Sequence, residues 1–264
     1  MARQFGGTTY VSVPDRTSLA PDSVANSYAC WVYIDSFNGA GDAYISEIFG
    51  DYDTVDYSFQ FRLGAGTQGA ATQKRIGLAT GVGGNFATGE TWSLTDLTTG
   101  VWTHIGAAAV SGDVHFYLNG VLDFSGGAGL TFSDQSNNWI VGQLGGFGRP
   151  LNGRLAELGY WSGVTLGADD FKAMAKGAPP SMIRPGHLDL YMPFDDRGDA
   201  TYTTREWCGG TATLGDGAGS YVPSWGEHPP VLRRRSTRSV FVPAAAASSS
   251  LPNFIHHYRQ QGIM

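Results

Sequence analysis

Hydrophobic and polar residues alternate along short segments of this chain, and this alternation predicts β-strands. Between Val114 and Asn119, apolar residues at every second position are separated by more polar ones, which is the period of a half-buried strand. Asn119 and Gly120 then supply two residues that tolerate positive φ, as a type I′ turn requires. Residues 114–124 are therefore predicted to form a β-hairpin.

Similar short runs, rich in aromatic and β-branched residues, recur between Gly, Pro, Asn and Asp clusters. They predict strands at 10–13, 28–34, 43–48, 57–63, 75–78, 91–94, 103–108, 139–142 and 155–161, with a return strand from 183–185 through 188–193. One helix is predicted at 168–176, because acidic residues occupy its first turn and Gly177 follows its end. The pattern indicates an all-β sandwich of two antiparallel sheets with one short helix.

Composition and charge divide the chain into a body and a tail. The 264 residues include 38 glycines, and only 15% are charged, which favours strands and turns over helices. Residues 1–196 hold 10 basic and 19 acidic residues, a charge of −9, whereas 228–264 hold five arginines and no acid. We therefore predict a sandwich at 1–196, an irregular Gly/Pro-rich connection packed on it at 197–227, and a basic arm at 228–264.

Few features of the chain suggest export or covalent cross-linking. The N-terminus has no apolar stretch typical of a cleaved signal peptide, and no run long enough to span a membrane occurs. Cys30 and Cys208 are too few for a disulfide framework or a zinc site, and both are expected to be free. These observations predict a protein assembled in a cytoplasm and not bound to a membrane.

Three longer segments stand out by their order and spacing. They run from Phe5 to Tyr33, from Trp102 to Gly120, and from Phe147 to Pro193, and the second contains Trp102-Thr103-His104 and Phe116-Tyr117-Leu118-Asn119-Gly120. Together they resemble the concanavalin A-like, laminin-G-type jelly roll, particularly the form found in bacteriophage virion proteins, and the second segment looks like the core of that family. The resemblance covers residues 5–194 and implies a jelly-roll fold, but the fold hosts several unrelated functions.

Two sequence motifs could indicate a glycosidase site or a dinucleotide-binding loop, but neither matches the full pattern that its function requires. Related glycosidases carry a Glu-x-Asp-x-x-Glu strand, whereas here Glu47 is followed by Gly50, which is expected to break the strand, and by no second Glu. Hydrolase activity is therefore not predicted. The glycine-rich segment 64–69 fits a dinucleotide pattern, but 75–78 reads as the other arm of a hairpin, so we interpret the segment as a β-turn.

The sequence leaves two ligands open on the body. Asp51, Asp53 and Asp56 offer oxygen ligands for calcium, although they lack the spacing of a dedicated calcium loop. Tyr52 and Trp92 could stack on sugar rings in a groove on the concave sheet or at a loop edge. No other cofactor is expected, and His104 is interpreted as a satisfied residue of the sheet.

The arm carries the predicted partner-binding residues. They are Arg233, Arg234, Arg235, Arg238, Phe241, Phe254 and Tyr258. Because the basic residues are interleaved with apolar ones, a protein groove is a better match than nucleic acid. The first hypothesis is a non-enzymatic phage virion protein, a homo-oligomeric capsid decoration or cement protein whose arm binds neighbouring subunits. The alternative is a glycan-binding module of a tail fibre or host-attachment protein.

Overall fold

The computed structural model describes most of the predicted body and little of the chain after it. It covers residues 2–6, 9–15, 19, 21–23, 25–37, 45–52, 57–64, 74–82, 85–110, 112–127, 129–132, 138–143, 149–194, 203–205, 211–216, 225–226 and 229. For strand residues 9, 51–52, 57–58, 82, 85–89, 203–205, 211–216 and 225–226, the description concerns the backbone. The seven arm residues named above lie outside the described residues.

Within these ranges the chain is almost entirely β-structure. The first eight strands are β1 (Ala2–Phe5), β2 (Thr9–Val13), β3 (Ala25–Ile34), β4 (Ser46–Tyr52), β5 (Tyr57–Gly64), β6 (Arg75–Val82), β7 (Asn85–Trp92) and β8 (Trp102–Val110). The others are β9 (Asp113–Leu118), β10 (Val121–Gly127), β11 (Trp139–Val141), β12 (Gly153–Ser162), β13 (Leu190–Met192), β14 (Thr203–Arg205), β15 (Thr211–Asp216) and β16 (Trp225–Gly226). One α-helix, α1 (Ala168–Ala175), and two 3-10 turns, Pro180–Met182 and Pro185–His187, complete the described elements.

The strands form two antiparallel sheets, as the sequence predicts. Sheet A has the order β10-β9-β8-β3-β12-β1-β16, with β13 also paired to β12. Sheet B has the order β14-β15-β2-β11-β4-β5-β6-β7. No helix in the described ranges is long and apolar enough to cross a membrane. The predicted sandwich of two antiparallel sheets with one short helix is confirmed.

Alternating residues of both sheets meet in one aromatic core. The Trp139 ring lies at its centre, with its centroid 4.8 Å from Phe49, 4.9 Å from Phe59 and 4.8 Å from Tyr160. All four side chains are buried, and each aromatic residue of this size buries a large apolar area. The core thus fixes which face of each strand points inward, and the remaining face of each sheet points outward.

The predicted hairpin turn has the expected backbone. Asn119 and Gly120 have φ of 49° and 77°, so both residues adopt the positive φ of a type I′ turn. A Cβ on Gly120 would lie 2.7 Å from the Cα of Lys172. The turn therefore packs directly against helix α1, which lies on the outer side of sheet A.

Three local predictions differ from the structure. Strand β4 continues through Gly50, so the expectation that this glycine breaks the strand is wrong. Residues 183–188 were expected to begin the return strand. Instead, they lie after the first 3-10 turn and contain the second, Pro185–His187, and the return strand is limited to β13. Within 197–227, where an irregular connection was predicted, β14 and β15 extend sheet B and β16 pairs with β1 of sheet A.

Candidate functional site

The outer face of sheet B carries a band of polar side chains across four adjacent strands. Because alternate residues of β5 fill the core, the residues between them point outward. The antiparallel register aligns the outward residues in two rows. The first row is Glu47, Arg62, Gly77 and Trp92, and the second is Gly50, Gln60, Ala79 and Glu90. We call Glu47, Gln60, Arg62, Glu90 and Trp92 the Arg62 cluster.

Two glycines make room for the larger side chains of the Arg62 cluster. A Cβ on Gly77 would lie 2.6 Å from the Trp92 ring, so the indole lies flat above that position. A Cβ on Gly50 would lie 2.6 Å from Oε1 of Glu47 and 3.4 Å from the Cα of Gln60. The missing side chains of the two glycines therefore leave space on the surface of the sheet, and the indole ring of Trp92 and the carboxyl group of Glu47 occupy it.

Arg62 connects the members of the cluster. One terminal guanidinium nitrogen donates a 2.8 Å hydrogen bond to Oε1 of Gln60, and the other lies 2.5 Å from Oε1 of Glu90. The guanidinium carbon is 5.2 Å from the centroid of the Trp92 ring, within the range of a cation–π contact. Arg62 is thus held on three sides, and both of its terminal nitrogens are engaged.

Glu47 is fully buried beside two arginines. Its exposed fraction is 0%. Burial raises the pKa of the Glu47 carboxyl group well above its usual range, whereas the charges of Arg62 and then Arg149 oppose that rise. Removing a carboxylate from water favours its protonated form. The ionisation of the Glu47 carboxyl group therefore depends on the balance between its burial and the charges of the two arginines.

The cluster contains several polar atoms that the described residues leave without a hydrogen-bond partner. These atoms, which we call the open atoms, are Oε1 and Oε2 of Glu47, Nε2 of Gln60, Nε of Arg62 and Nε1 of Trp92. Buried polar groups in native proteins almost always have partners. The open atoms include both donors and acceptors beside an aromatic ring, a combination suited to a ligand rich in hydroxyl groups.

The structure places only one sequence-predicted ligand residue in this cluster. Trp92 belongs to it and is half-buried, whereas Asp51 and Tyr52 end β4 and their side chains are not described. Asp53 and Asp56 lie outside the described residues. Among the residues that are described, no group of three or more His, Cys, Asp or Glu side chains could hold a metal ion.

Sequence reasoning missed the other cluster residues. Glu47 was considered only as part of a glycosidase motif, and Gln60, Arg62 and Glu90 were not selected. The alternation of Gln60 and Arg62 with Phe59, Phe61 and Leu63 was a usable signal, because it places polar groups on one outer face. The register that brings four strands together could not be read from that alternation.

The outer face of sheet A carries a separate aromatic patch. Trp31 pairs with His104, and Tyr33 pairs with both Trp102 and Arg154. The guanidinium carbon of Arg154 lies 4.4 Å from the Tyr33 ring centroid. The expectation that His104 is satisfied is wrong at one atom, since Nδ1 has no hydrogen-bond partner among the described residues. Burial lowers the pKa of His104 to about 3.

The fold and this site define an antiparallel jelly-roll sandwich with a polar and aromatic outer face. The model of the concanavalin A-like lectin/glucanases superfamily matches residues 5–169. The chain belongs to this superfamily, in its laminin G-type branch. No curated protein matches the chain.

Several solved structures are similar in fold. A candidate carbohydrate-binding protein from Bacteroides ovatus has a TM-score of 0.63 and 20% identity, covers 81% of this chain, and is itself 57% covered. This chain thus spans little more than half of that protein. Domain 4 of an extracellular arabinanase from Geobacillus stearothermophilus, in complex with arabinotriose, has a TM-score of 0.45 and 20% identity. It covers 62% of this chain and is itself 71% covered. A heptameric pentraxin from Limulus polyphemus has a TM-score of 0.43 and 14% identity. It covers 64% of this chain and is itself 82% covered.

Proposed function

We propose that the protein is a non-enzymatic carbohydrate-binding module that holds its ligand over the Arg62 cluster. The observation that carries this proposal is the half-buried Trp92 ring beside the open atoms of Glu47, Gln60 and Arg62. An aromatic ring offers an apolar surface to one side of a sugar ring. Polar groups fixed around that surface select the hydroxyl pattern and the orientation of the ligand.

The arrangement of the carboxyl groups supports binding over hydrolysis. Glycosidases place two carboxyl groups on either side of the scissile bond. Here Glu47 lies on β4 and Glu90 on β7, with β5 and β6 between them. Arg62, on β5, is bonded to Glu90 and acts electrostatically on Glu47. The guanidinium group of Arg62 thus lies between the two carboxyl groups, where a glycosidase would hold its substrate.

The virion role inferred from the sequence stays a prediction. It depends on the arm at 228–264, and its named residues lie outside the described part of the chain. A carbohydrate-binding body is compatible with the second sequence hypothesis, a glycan-binding attachment module. The superfamily match supports that alternative more directly than it supports a capsid role.

Removing the Trp92 side chain is expected to abolish most glycan binding. The wild-type protein, Trp92→Ala and Trp102→Ala would be compared on a glycan array, with calcium and with a chelator. Loss of a half-buried aromatic contact costs about 2 kcal/mol, which weakens binding about thirtyfold. Trp102→Ala is the matched control, since it removes a half-buried tryptophan from the outer face of the other sheet.

The array separates three results. Binding that is lost in Trp92→Ala and retained in Trp102→Ala, with or without chelator, supports a site at the Arg62 cluster. Equal loss in both variants, loss only in Trp102→Ala, or no loss in Trp92→Ala would contradict that location. A wild-type protein that binds no glycan under either condition would contradict the proposed function itself.

A further inference from the structure

Strand β10 is an edge strand with little protection against pairing with another chain. Among the described strands it ends sheet A and pairs only with β9. Its seven residues include no Lys, Arg or Pro, which commonly prevent an edge strand from recruiting a partner. A β-bulge, where the register shifts between Leu122 and Phe124, protects one end. Residues 124–127 continue the regular ladder and leave an open edge.

The backbone groups on the open side of β10 follow from the register. The Asn119 N–H donates a 2.7 Å hydrogen bond to the carbonyl oxygen of His104 on β8. Successive residues of a strand direct these groups to opposite sides, so Leu118 and every second residue before it bond to β10. The residues of β10 that direct their N–H and C=O groups away from β9 are therefore Leu122, Ser125 and Gly127.

Exposed apolar side chains are concentrated beside this edge. Of the five large hydrophobic residues that are exposed in the described part of the chain, three lie here: Val121 is 68% exposed, Leu94 58% and Leu122 50%. Leu94 belongs to the group because its backbone N–H donates a 2.6 Å hydrogen bond to Oδ2 of Asp123. Single exposed apolar residues are common, whereas a group of them marks an interaction surface.

The open edge is complementary to a second copy of itself. In an antiparallel pair of β10 strands centred on Ser125, the outward N–H and C=O groups of Ser125 bond to the same groups of the second copy. Phe124 then lies opposite Gly126 of the second copy, which leaves space for the ring, and Asp123 lies opposite Gly127. No two carboxylates face each other directly. The Asp123 carboxylate also accepts hydrogen bonds from two backbone N–H groups of its own chain.

We propose that two copies of this chain form a twofold-symmetric dimer by antiparallel pairing of their β10 strands about Ser125. The eight strands of sheet A in each copy then form one continuous sheet, through an interface that uses the same surface twice. The symmetry axis is perpendicular to this sheet, so the outer faces of both B sheets point to the same side. The dimer thus presents two Arg62 clusters together. The inference goes beyond the proposed function and does not depend on it.

The first test measures the mass of the full chain in solution by sedimentation at several concentrations. The wild type is expected to form a species of twice 28.1 kDa. Ser125→Pro removes the outward N–H but no bond to β9, and it is expected to weaken the dimer at least about tenfold. Ser125→Ala, which keeps the N–H, is the matched control and is expected to dimerise within about twofold of the wild type.

A second pair of variants tests the apolar side chains at the same edge. Leu122→Lys places a charge three residues from the centre of the pairing, where the strand of the second copy ends, and is expected to weaken the dimer at least about tenfold. Met182→Lys is the matched control. Met182 is 53% exposed but lies in a 3-10 turn, and its replacement is expected to leave the mass unchanged.

A cross-link tests the register of the pairing. Hydrogen-bonded residues opposite each other in an antiparallel pair have Cα atoms about 5.5 Å apart, within the range that a disulfide spans. Ser125→Cys is therefore expected to form a disulfide-linked dimer when oxidised with copper–phenanthroline. Met182→Cys, exposed away from the edge, is expected to remain a single chain on a non-reducing gel.

The outcomes separate this inference from the proposed carbohydrate binding. A wild type that stays monomeric up to about 100 μM, wild-type dimerisation of folded Ser125→Pro or Leu122→Lys, or equal cross-linking of the two cysteine variants would overturn the β10 dimer. None of these results would affect glycan binding by the single chain. Melting temperatures identify variants that do not fold, and Leu122→Lys and the cross-link remain decisive if Ser125→Pro is one of them.

Discussion

Gly153→Ala is expected to destabilise the protein by about 3 kcal/mol or more, because the new methyl group has no room. A Cβ at this position would lie 2.1 Å from the carbonyl oxygen of Tyr33 and 3.2 Å from the Cα of Ile34. Both atoms belong to the backbone of β3, which cannot rotate away as a side chain could. Gly153 also pairs with Phe5 on β1, so a shift away from β3 would disturb the opposite neighbour. Urea denaturation of both proteins measures the difference.

Gly186→Ala is the matched control for this substitution. No described atom lies within 4 Å of a Cβ built on Gly186, and the residue is exposed. Its replacement is expected to change stability by no more than about 0.5 kcal/mol, as surface substitutions usually do. Similar urea midpoints for the two variants would show that β12 and β3 are not as close as the structure places them.

His104 is expected to make the folded protein less stable as the pH falls from 7 to 5. Its side chain is 2% exposed and its ring centroid lies 5.4 Å from that of Trp31. Burial lowers its pKa from 6.5 to about 3, so between these values the unfolded chain binds a proton that the folded protein does not. Stability is therefore complete above pH 6.5 and decreases by about 1.4 kcal/mol per pH unit below it. At pH 5 the expected loss is about 2 kcal/mol.

The comparison with His104→Gln isolates this contribution. Glu47 acts in the opposite sense, because a carboxyl group with a raised pKa in the folded protein favours folding at lower pH. The difference in unfolding free energy between wild type and variant, measured at pH 7 and at pH 5, removes the Glu47 contribution. An unchanged slope in His104→Gln would show that the imidazole takes up a proton equally well in the folded and in the unfolded protein.

Local patterns in the sequence were sufficient to predict most of the fold. The alternation in β5 places Phe59, Phe61 and Leu63 in the core, and the Asn119-Gly120 pair specifies its turn through backbone conformation alone. Such features depend on a few neighbouring residues. For this reason the two sheets, the hairpin and the helix could all be predicted from the chain.

The candidate site could be predicted only in part, because it depends on pairing between strands. Trp92 was selected for its aromatic ring, but the residues that surround it come from β4, β5 and β7. Gly50 was interpreted as a strand breaker, whereas its missing side chain provides the space occupied by Glu47. A glycine that ends a strand and one that accommodates a neighbouring side chain look alike in one sequence. Their roles differ only once the register is known.

The pairing of β15 with β2 and of β16 with β1 has a practical consequence for recombinant expression. The family match ends at residue 169, but strands beyond that point continue both sheets. A fragment cut at the family boundary would leave the hydrogen-bonding edges of β1 and β2 uncovered. Uncovered strand edges recruit other chains and promote aggregation. The minimal unit for crystallisation or ligand screening therefore extends at least to Gly226, well past the segment that defines the family.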